Sequence, residues 1–441
     1  MGPQPHQEDP TGPSVDVLTS IEICAGAGGQ AIGLHQAGFN HLALVEIDPH
    51  AVETLRINIR SLEEWSWERE YCDVISGDVN NFSPIPRGEG RESDVRKGQA
   101  YLGRPLARGD LDLLAGGVPC PPFSHAGKQL GKDDERDLFP RILELADELH
   151  PKAVMIENVR GIKDAKFEEY REYIMARLAG GLAKHPVTGI EEELDGLGYD
   201  ICEWEVLEAS DFGVPQLRPR AVLVAIRRDV LGDLKFVWPT ATGSPRSAFD
   251  ALEESMDLRY APYLEMSGDV ARLAKQRLGR WKEKAQMAES RKDFGVAPTL
   301  VGGSKKHGGA DLGPSRAKAA WALLGVSGVG VANSHEESVK KKSQDRDLFR
   351  EAGPMLTVEQ AAIIQGFPDN WKFSGGKTAQ YRQVGNAFPP PVAAAVGKAI
   401  AEVLHAARKR DRRESAPDGL LPRQSAPAPA DSVDDRDSAR A

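Results

Sequence analysis

The sequence predicts an α/β protein organised around a mostly parallel sheet. Short apolar runs alternate with longer helical patterns along most of the chain. A glycine-rich turn separates the first apolar run from the first helical pattern. The 441 residues, 40% hydrophobic and 28% charged, are enough for two domains and are ordinary for a soluble protein.

In chain order, Val17–Cys24 reads as a strand, followed by the turn Ala25-Gly26-Ala27-Gly28-Gly29 and a helix through Gln36. His41–Glu46 reads as a second strand, and Leu111–Ala115 and Ala153–Glu157 as later ones. Residues 86–104, rich in Gly, Arg and Glu, read as a surface loop. From about 237 to 353 the alternation is lost and glycines and basic residues become frequent, so this stretch cannot extend the sheet and is expected to form a smaller second domain. Regular structure returns at Thr357–Gln365, and a final helix carries Val392, Val396, Ile400 and Val403 on one face. Residues 1–16 and 409–441, rich in Pro, Ser, Asp and Arg, are expected as disordered tails.

No run approaches the roughly 18 apolar residues of a membrane span, and the N-terminus has no signal-peptide pattern, so a cytoplasmic protein without membrane contact is expected. The four cysteines, Cys24, Cys72, Cys120 and Cys202, form no Cys-x-x-Cys pair, which argues against zinc and against a disulfide framework. The net charge of −10 is contrary to what a nucleic-acid binder presents, although only the local field along a cleft governs docking.

Four constellations carry chemistry. The turn at 25–29 lets backbone approach a ligand at a helix N-terminus, and Glu46, twenty residues after Gly26, is placed to accept from a ribose hydroxyl pair. NAD and S-adenosylmethionine both satisfy these features. Asp78 follows the next apolar run and is either a turn former or an acceptor for an adenine amino group. Cys120, in Pro119-Cys120-Pro121-Pro122, follows the strand Leu111–Ala115, and flanking prolines suit a stiffly held thiol better than core packing. The polar stretch from Ser124 to Lys132 has the composition of a lid. Glu157-Asn158 ends an apolar strand, where a carboxylate needs a partner or a proton, although a helix cap explains the pair equally well. In Gln216-Leu217-Arg218-Pro219-Arg220, alternate residues are expected to project to one side, where two guanidiniums suit phosphates or a carbonyl oxygen.

In this order the motifs resemble the cytosine-C5 DNA methyltransferase family. The runs that carry the resemblance are Glu22–Gly29, Pro119-Cys120, Glu157-Asn158-Val159, Gln216-x-Arg218-x-Arg220, Gln365-Gly366-Phe367-Pro368 and Gln383–Pro390. Together they cover roughly 18–236 and 354–405, and they outrank the NAD reading, which accounts only for the first turn. The resemblance implies a Rossmann-like S-adenosylmethionine-dependent catalytic domain over 17–236. It also implies a target-recognition region at 237–353 and C-terminal motifs at 354–408 that return to the catalytic domain. It implies attack of the Cys120 thiolate on cytosine C6, with Glu157 at N3, Arg220 as local cation and Asn158 positioning the loop, on a base flipped out of double-stranded DNA. The cofactor is expected against Cys24, Gly26, Gly28, Gly29, Glu46, Asp78 and Asn386, with no metal. Many relatives carry Phe where Cys24 stands, so stacking on the adenine is expected to be weaker here. Ser124, Gln216, Arg218, Lys305 and Lys306 are expected to contact DNA, Arg218 at backbone phosphate. The compact length resembles bacterial restriction–modification members, which implies a monomer paired functionally, without a stable complex, with a restriction endonuclease. Alternatives are a tRNA cytosine methyltransferase on the same fold and an inactive nucleic-acid-binding relative.

Overall fold

A computed structural model describes residues 17–86, 92–119, 137–302 and 310–414. The strands are β1 (Leu18–Ile23), β2 (Phe39–Glu46), β3 (Asp73–Ser76), β4 (Leu113–Gly117), β5 (Ala153–Val159), β6 (Gly181–Lys184), β7 (Glu191–Leu194), β8 (Tyr199–Glu208) and β9 (Pro219–Arg227). Seven of them form one sheet in the order β3-β2-β1-β4-β5-β9-β8, while β6 and β7 make a separate hairpin. β1 to β5 run parallel to their neighbours, and β9 turns antiparallel to both β5 and β8.

Both faces of the sheet are covered, which is why its strands read as continuous apolar runs rather than as alternating patterns. Along β5, Ala153 and Met155 point to one face, and Val154 and Ile156 to the other, all fully buried. The first face packs on Val392, Val396 and Ile400 of the helix Pro390–Glu414, and the second on Ile142, Leu145 and Ile174 of the helices Phe139–Leu149 and Glu168–Ala179. Burying a side chain of this size contributes about 1.5–3 kcal/mol.

The stretch 237–353 adds no strand to the sheet among the described residues, but it is more regular than its sequence implied. It contains the helices Ala248–Leu264, Asp269–Glu289 and Ser315–Leu323. Trp281, Trp321 and Tyr260 pack in a cluster that runs through Leu300 and Leu356 to Leu55 and Trp65 of the sheet-bearing part.

The helix Pro390–Glu414 also continues past 409, where a tail was expected. Arg408 bonds both oxygens of buried Asp112, and Arg410 donates to the carbonyls of Asp229 and Val230. These anchors hold a turn whose composition alone suggests disorder.

The strand order reverses direction between β1 and β4, and at such a switch point the loops after the carboxyl ends diverge and open a crevice.

Candidate active site

A cavity of about 620 Å³ occupies that crevice. Its walls come from the turn after β1, the ends of β2, β4 and β5, the start of β9, residues 299–302, and the helix Lys377–Asn386. A second cavity of about 350 Å³ shares Cys24, Glu46 and Pro119 with it and extends to Ile47, Asp78, Val79 and Leu138.

The turn after β1 is closed by Gly28 N–H donating to the Ala25 carbonyl, with Cys24 at φ 54° and Gly26 at φ 54°. Left-handed backbone is costly for cysteine, and such outliers concentrate at ligand sites. The glycines differ in purpose. A Cβ on Gly26 would meet nothing within 4 Å, whereas one on Gly28 would lie 2.8 Å from Trp371 and one on Gly29 2.3 Å from the Phe388 carbonyl oxygen. Gly26 therefore leaves space for a ligand, while Gly28, which does not line the cavity, is required by packing.

Glu46 is 8% exposed, with one carboxylate oxygen accepting from Gly26 N–H and the other from Asp48 N–H, both at 2.7 Å. Each oxygen keeps a lone pair toward the cavities. Asp78 caps the short helical turn after β3 through Asn80 N–H and also lines the smaller cavity, so it is both turn former and wall. The Cys24 thiol is pushed up to about 12 by burial first and then by Glu46, Glu22 and Asp78.

The floor holds groups that sequence reasoning missed. Glu22 Oε2 and both side-chain polar atoms of Gln30 are buried without a hydrogen-bond partner, and both residues line the larger cavity. Burial, reinforced by Glu46 and Glu157, holds the Glu22 carboxyl well above the ordinary range. Ile47, 68% exposed, stands at the rim of the smaller cavity. Arg382 lines the larger one and has no hydrogen bond or ion pair among the described residues. The signals were modest: a glutamine in an apolar helix, an isoleucine directly after Glu46, and an arginine directly before the last motif.

At the far wall, Val159 on β5 pairs with Arg220 on β9, so Glu157 and Arg220 are diagonal neighbours on one face. Arg220 Nε lies 2.8 Å from Glu157 Oε1. Gly117 on β4 pairs with Glu157, and a Cβ there would come within 3.1 Å of its other oxygen. Burial raises the Glu157 carboxyl above its usual range, while Arg220 and Arg218 pull it back. Asn158 Nδ2 donates to the Val118 carbonyl at 2.9 Å, gripping the chain two residues before Cys120.

The expected DNA contacts at Gln216 and Arg218 are corrected by the structure. Arg218, 1% exposed, donates Nη1 to the Leu300 carbonyl at 2.6 Å and Nη2 to those of Gly385 and Ala387 at 2.6 and 3.0 Å. Gln216, fully buried, bonds Gln365 Oε1, the Ile364 carbonyl and Leu300 N–H. Both side chains satisfy main-chain groups where residues 299–302 meet the turn at 385–387, and neither is accessible to a phosphate. Arg218 and Arg220 do line one cavity, as the extended spacing implied, but Gln216 does not. Asn386 is exposed at the cavity wall against Gly302. Cys120, Ser124, Lys305 and Lys306 lie outside the described residues.

A mostly parallel sheet with one antiparallel strand, β9, next to its edge, a cavity at the switch point and an acid–guanidinium pair at its wall is the architecture of an α/β transferase of the methyltransferase class. Residues 18–402 match the C-5 cytosine-specific DNA methylase family, and the chain belongs to it: it is a DNA cytosine-C5 methyltransferase. It is similar to the type II methyltransferase M.NaeI of Lentzea aerocolonigenes, 43% identical over 88% of this chain and 76% of that one. It is also similar to M.NgoMIV of Neisseria gonorrhoeae, 41% identical over 88% and 98% of the two chains. M.Eco47II of Escherichia coli is 31% identical over 91% and 83%.

Proposed function

We propose that this protein transfers a methyl group from S-adenosylmethionine to C5 of a cytosine flipped out of a specific duplex sequence, through a covalent adduct between Cys120 and C6. The observation that carries the reading is the Glu157–Arg220 pair at the cavity wall, with Asn158 holding the chain that leads to Cys120.

The cavity suits this cofactor. Glu22 and Gln30 carry buried polar atoms in want of partners, and Glu22, Glu46 and Glu157 surround the space with carboxyls, which favours a ligand bearing a sulfonium and an ammonium. Glu46 is within the wall shared by both cavities and would accept from the ribose, while Asp78 and Ile47 would hold the adenine in the smaller one. Bound there, the cofactor supplies an electrophilic methyl group.

The chain's own residues supply the rest. Cytosine C5 is a poor nucleophile until a thiolate adds to C6. The Cys120 sulfur forms the C6 bond while Glu157, whose carboxyl burial holds above its usual range, donates to N3. Arg220 fixes the orientation of that carboxyl and neutralises it when the proton has gone. After C5 takes the methyl group, loss of the C5 proton restores the double bond and expels the thiolate. A free thiol has a pKa of about 8.5, so local cations must favour the thiolate. Flipping exposes C6, which the duplex stack otherwise covers.

The similarity to type II modification enzymes supports a role in protecting DNA from a cognate restriction endonuclease, acting as a monomer without a stable complex between the two. The test is Cys120→Ser with tritiated donor and 5-fluorocytosine duplex. Turnover and the denaturant-resistant adduct should vanish while donor binding by calorimetry persists; normal turnover would end the covalent reading.

A further inference from the structure

The helix Asp269–Glu289 carries Arg277, Arg280, Trp281 and Lys284 on one face, since these positions recur at helical spacing. With Arg350 and Glu351 they line a small cleft whose other walls are Gly325, Ala352 and Gly353. Among the described residues, no carboxylate lies within 4 Å of Arg277, Lys284 or Arg350, and Arg280 has only a 3.9 Å contact with Glu351. On the other side of the same helix, Lys282 bonds both Glu253 and Asp257. Close acidic partners are therefore used at Lys282, whereas at the cleft Glu351 is the one carboxylate in the wall and makes only the long contact with Arg280.

A second observation is independent of charge. Trp281 is 2% exposed, yet its indole N–H has no acceptor, and Arg277 Nε is likewise buried and unpartnered. Buried donors of this kind are normally satisfied. The enclosed volume is about 10 Å³, space for about one water-sized atom. No base or small metabolite fits inside, so a larger ligand reaches the buried donors only by lying across the rim with a single oxygen inserted.

We propose that this cleft is a DNA backbone phosphate site, separate from the catalytic cavity, by which residues 277–284 and 350 anchor the duplex. A backbone phosphodiester has two non-bridging oxygens, one to point inward at the buried donors and one outward to the guanidiniums and Lys284. The site supplies a local cationic footing in a chain whose net charge is −10. The proposal rests on the DNA-methyltransferase reading.

The test is the salt dependence of duplex binding, measured by fluorescence anisotropy between 50 and 400 mM NaCl. Arg280→Gln combined with Lys284→Gln is compared with wild type and with Lys340→Gln/Lys341→Gln, whose lysines already pair with Glu337. Each neutralised phosphate contributes about 0.9 to the slope of log K against log salt, so the first double variant, which weakens one phosphate contact, should be shallower by up to about 0.9. Its affinity should converge with wild type as salt approaches about 1 M. The control pair should keep the wild-type slope. If the first variant has a changed urea midpoint, Arg280→Gln alone, at a half-exposed position, should still lower the slope, by less than the double variant. An unchanged slope, or an equal fall in the control, overturns the proposal. Cys120 adduct formation alongside an unchanged slope would overturn this site while leaving the catalytic reading intact.

Discussion

Arg218→Lys discriminates sharply between a buried tie and a DNA contact. Arg218 makes three charge-assisted bonds to main-chain carbonyls of Leu300, Gly385 and Ala387, from a position 1% exposed. A lysine carries its three donors on one compact nitrogen and cannot span carbonyls that the planar guanidinium reaches from two nitrogens. At least one carbonyl, and at most all three, would be left unsatisfied, at about 1–3 kcal/mol each. The loss should be about 3 kcal/mol, visible as a lower urea midpoint with an unchanged m-value. Because Leu300 belongs to the segment 299–302 and Gly385 to the turn beside Asn386, donor and DNA affinities should both fall. A phosphate contact predicts the reverse: a native urea midpoint and an unchanged salt slope, because lysine keeps the charge. A variant with wild-type stability would refute the structural role.

Removing Arg220 should act through Glu157. The guanidinium lowers the Glu157 carboxyl, so Arg220→Gln should move the limb of the pH–rate profile that reports this acid to higher pH, and an unmoved limb would contradict the pairing. Glu22→Gln should stabilise the cofactor-free protein at pH 7.5 by about 1 kcal/mol and weaken donor binding. The folded state holds the Glu22 carboxyl well above its ordinary value, so stability declines as pH rises from the carboxylate range toward that raised value. Denaturation at two pH values with calorimetry checks both halves, and unchanged donor affinity would remove Glu22 from the site. Alkylation at pH 8 followed by peptide mass spectrometry should spare Cys24, raised to about 12, and Cys202, raised to about 11; early labelling of Cys24 would contradict its burial. Gly29→Ala should cost about 1–3 kcal/mol by overpacking against the Phe388 carbonyl, read as a fall in urea midpoint.

The sheet was legible because its strands are buried on both faces and announce themselves as apolar runs. The strands at 18–23, 39–46, 113–117 and 153–159 lie within a few residues of their expected positions. The helices between 248 and 323 were not, because their apolar residues are spread among charges and gain their meaning only from the cluster around Trp281 and Tyr260. At the site, Glu157, Asn158, Arg220 and Glu46 could be picked out by residue type and strand position. Gln216 and Arg218 could not be assigned correctly, since a polar residue satisfying distant carbonyls looks in sequence like one awaiting a ligand. Glu22 and Gln30 escaped for the opposite reason: their want of partners appears only when the chain has closed around them.

The packing of the last helix on the first has a consequence for how the enzyme is made. Gly29 abuts Phe388, Gly33 abuts Pro390, and Arg408 bonds the Val17 carbonyl, so the earliest-synthesised motif is completed by nearly the latest. Contacts spanning most of the chain must form before the cofactor turn has its final walls, and such topology folds slowly. A nascent or prematurely terminated chain would hold the strands of the sheet with one face bare. Methylating capacity thus arrives all at once, when the helix Pro390–Glu414 has been made and has docked, rather than growing with the length of the chain.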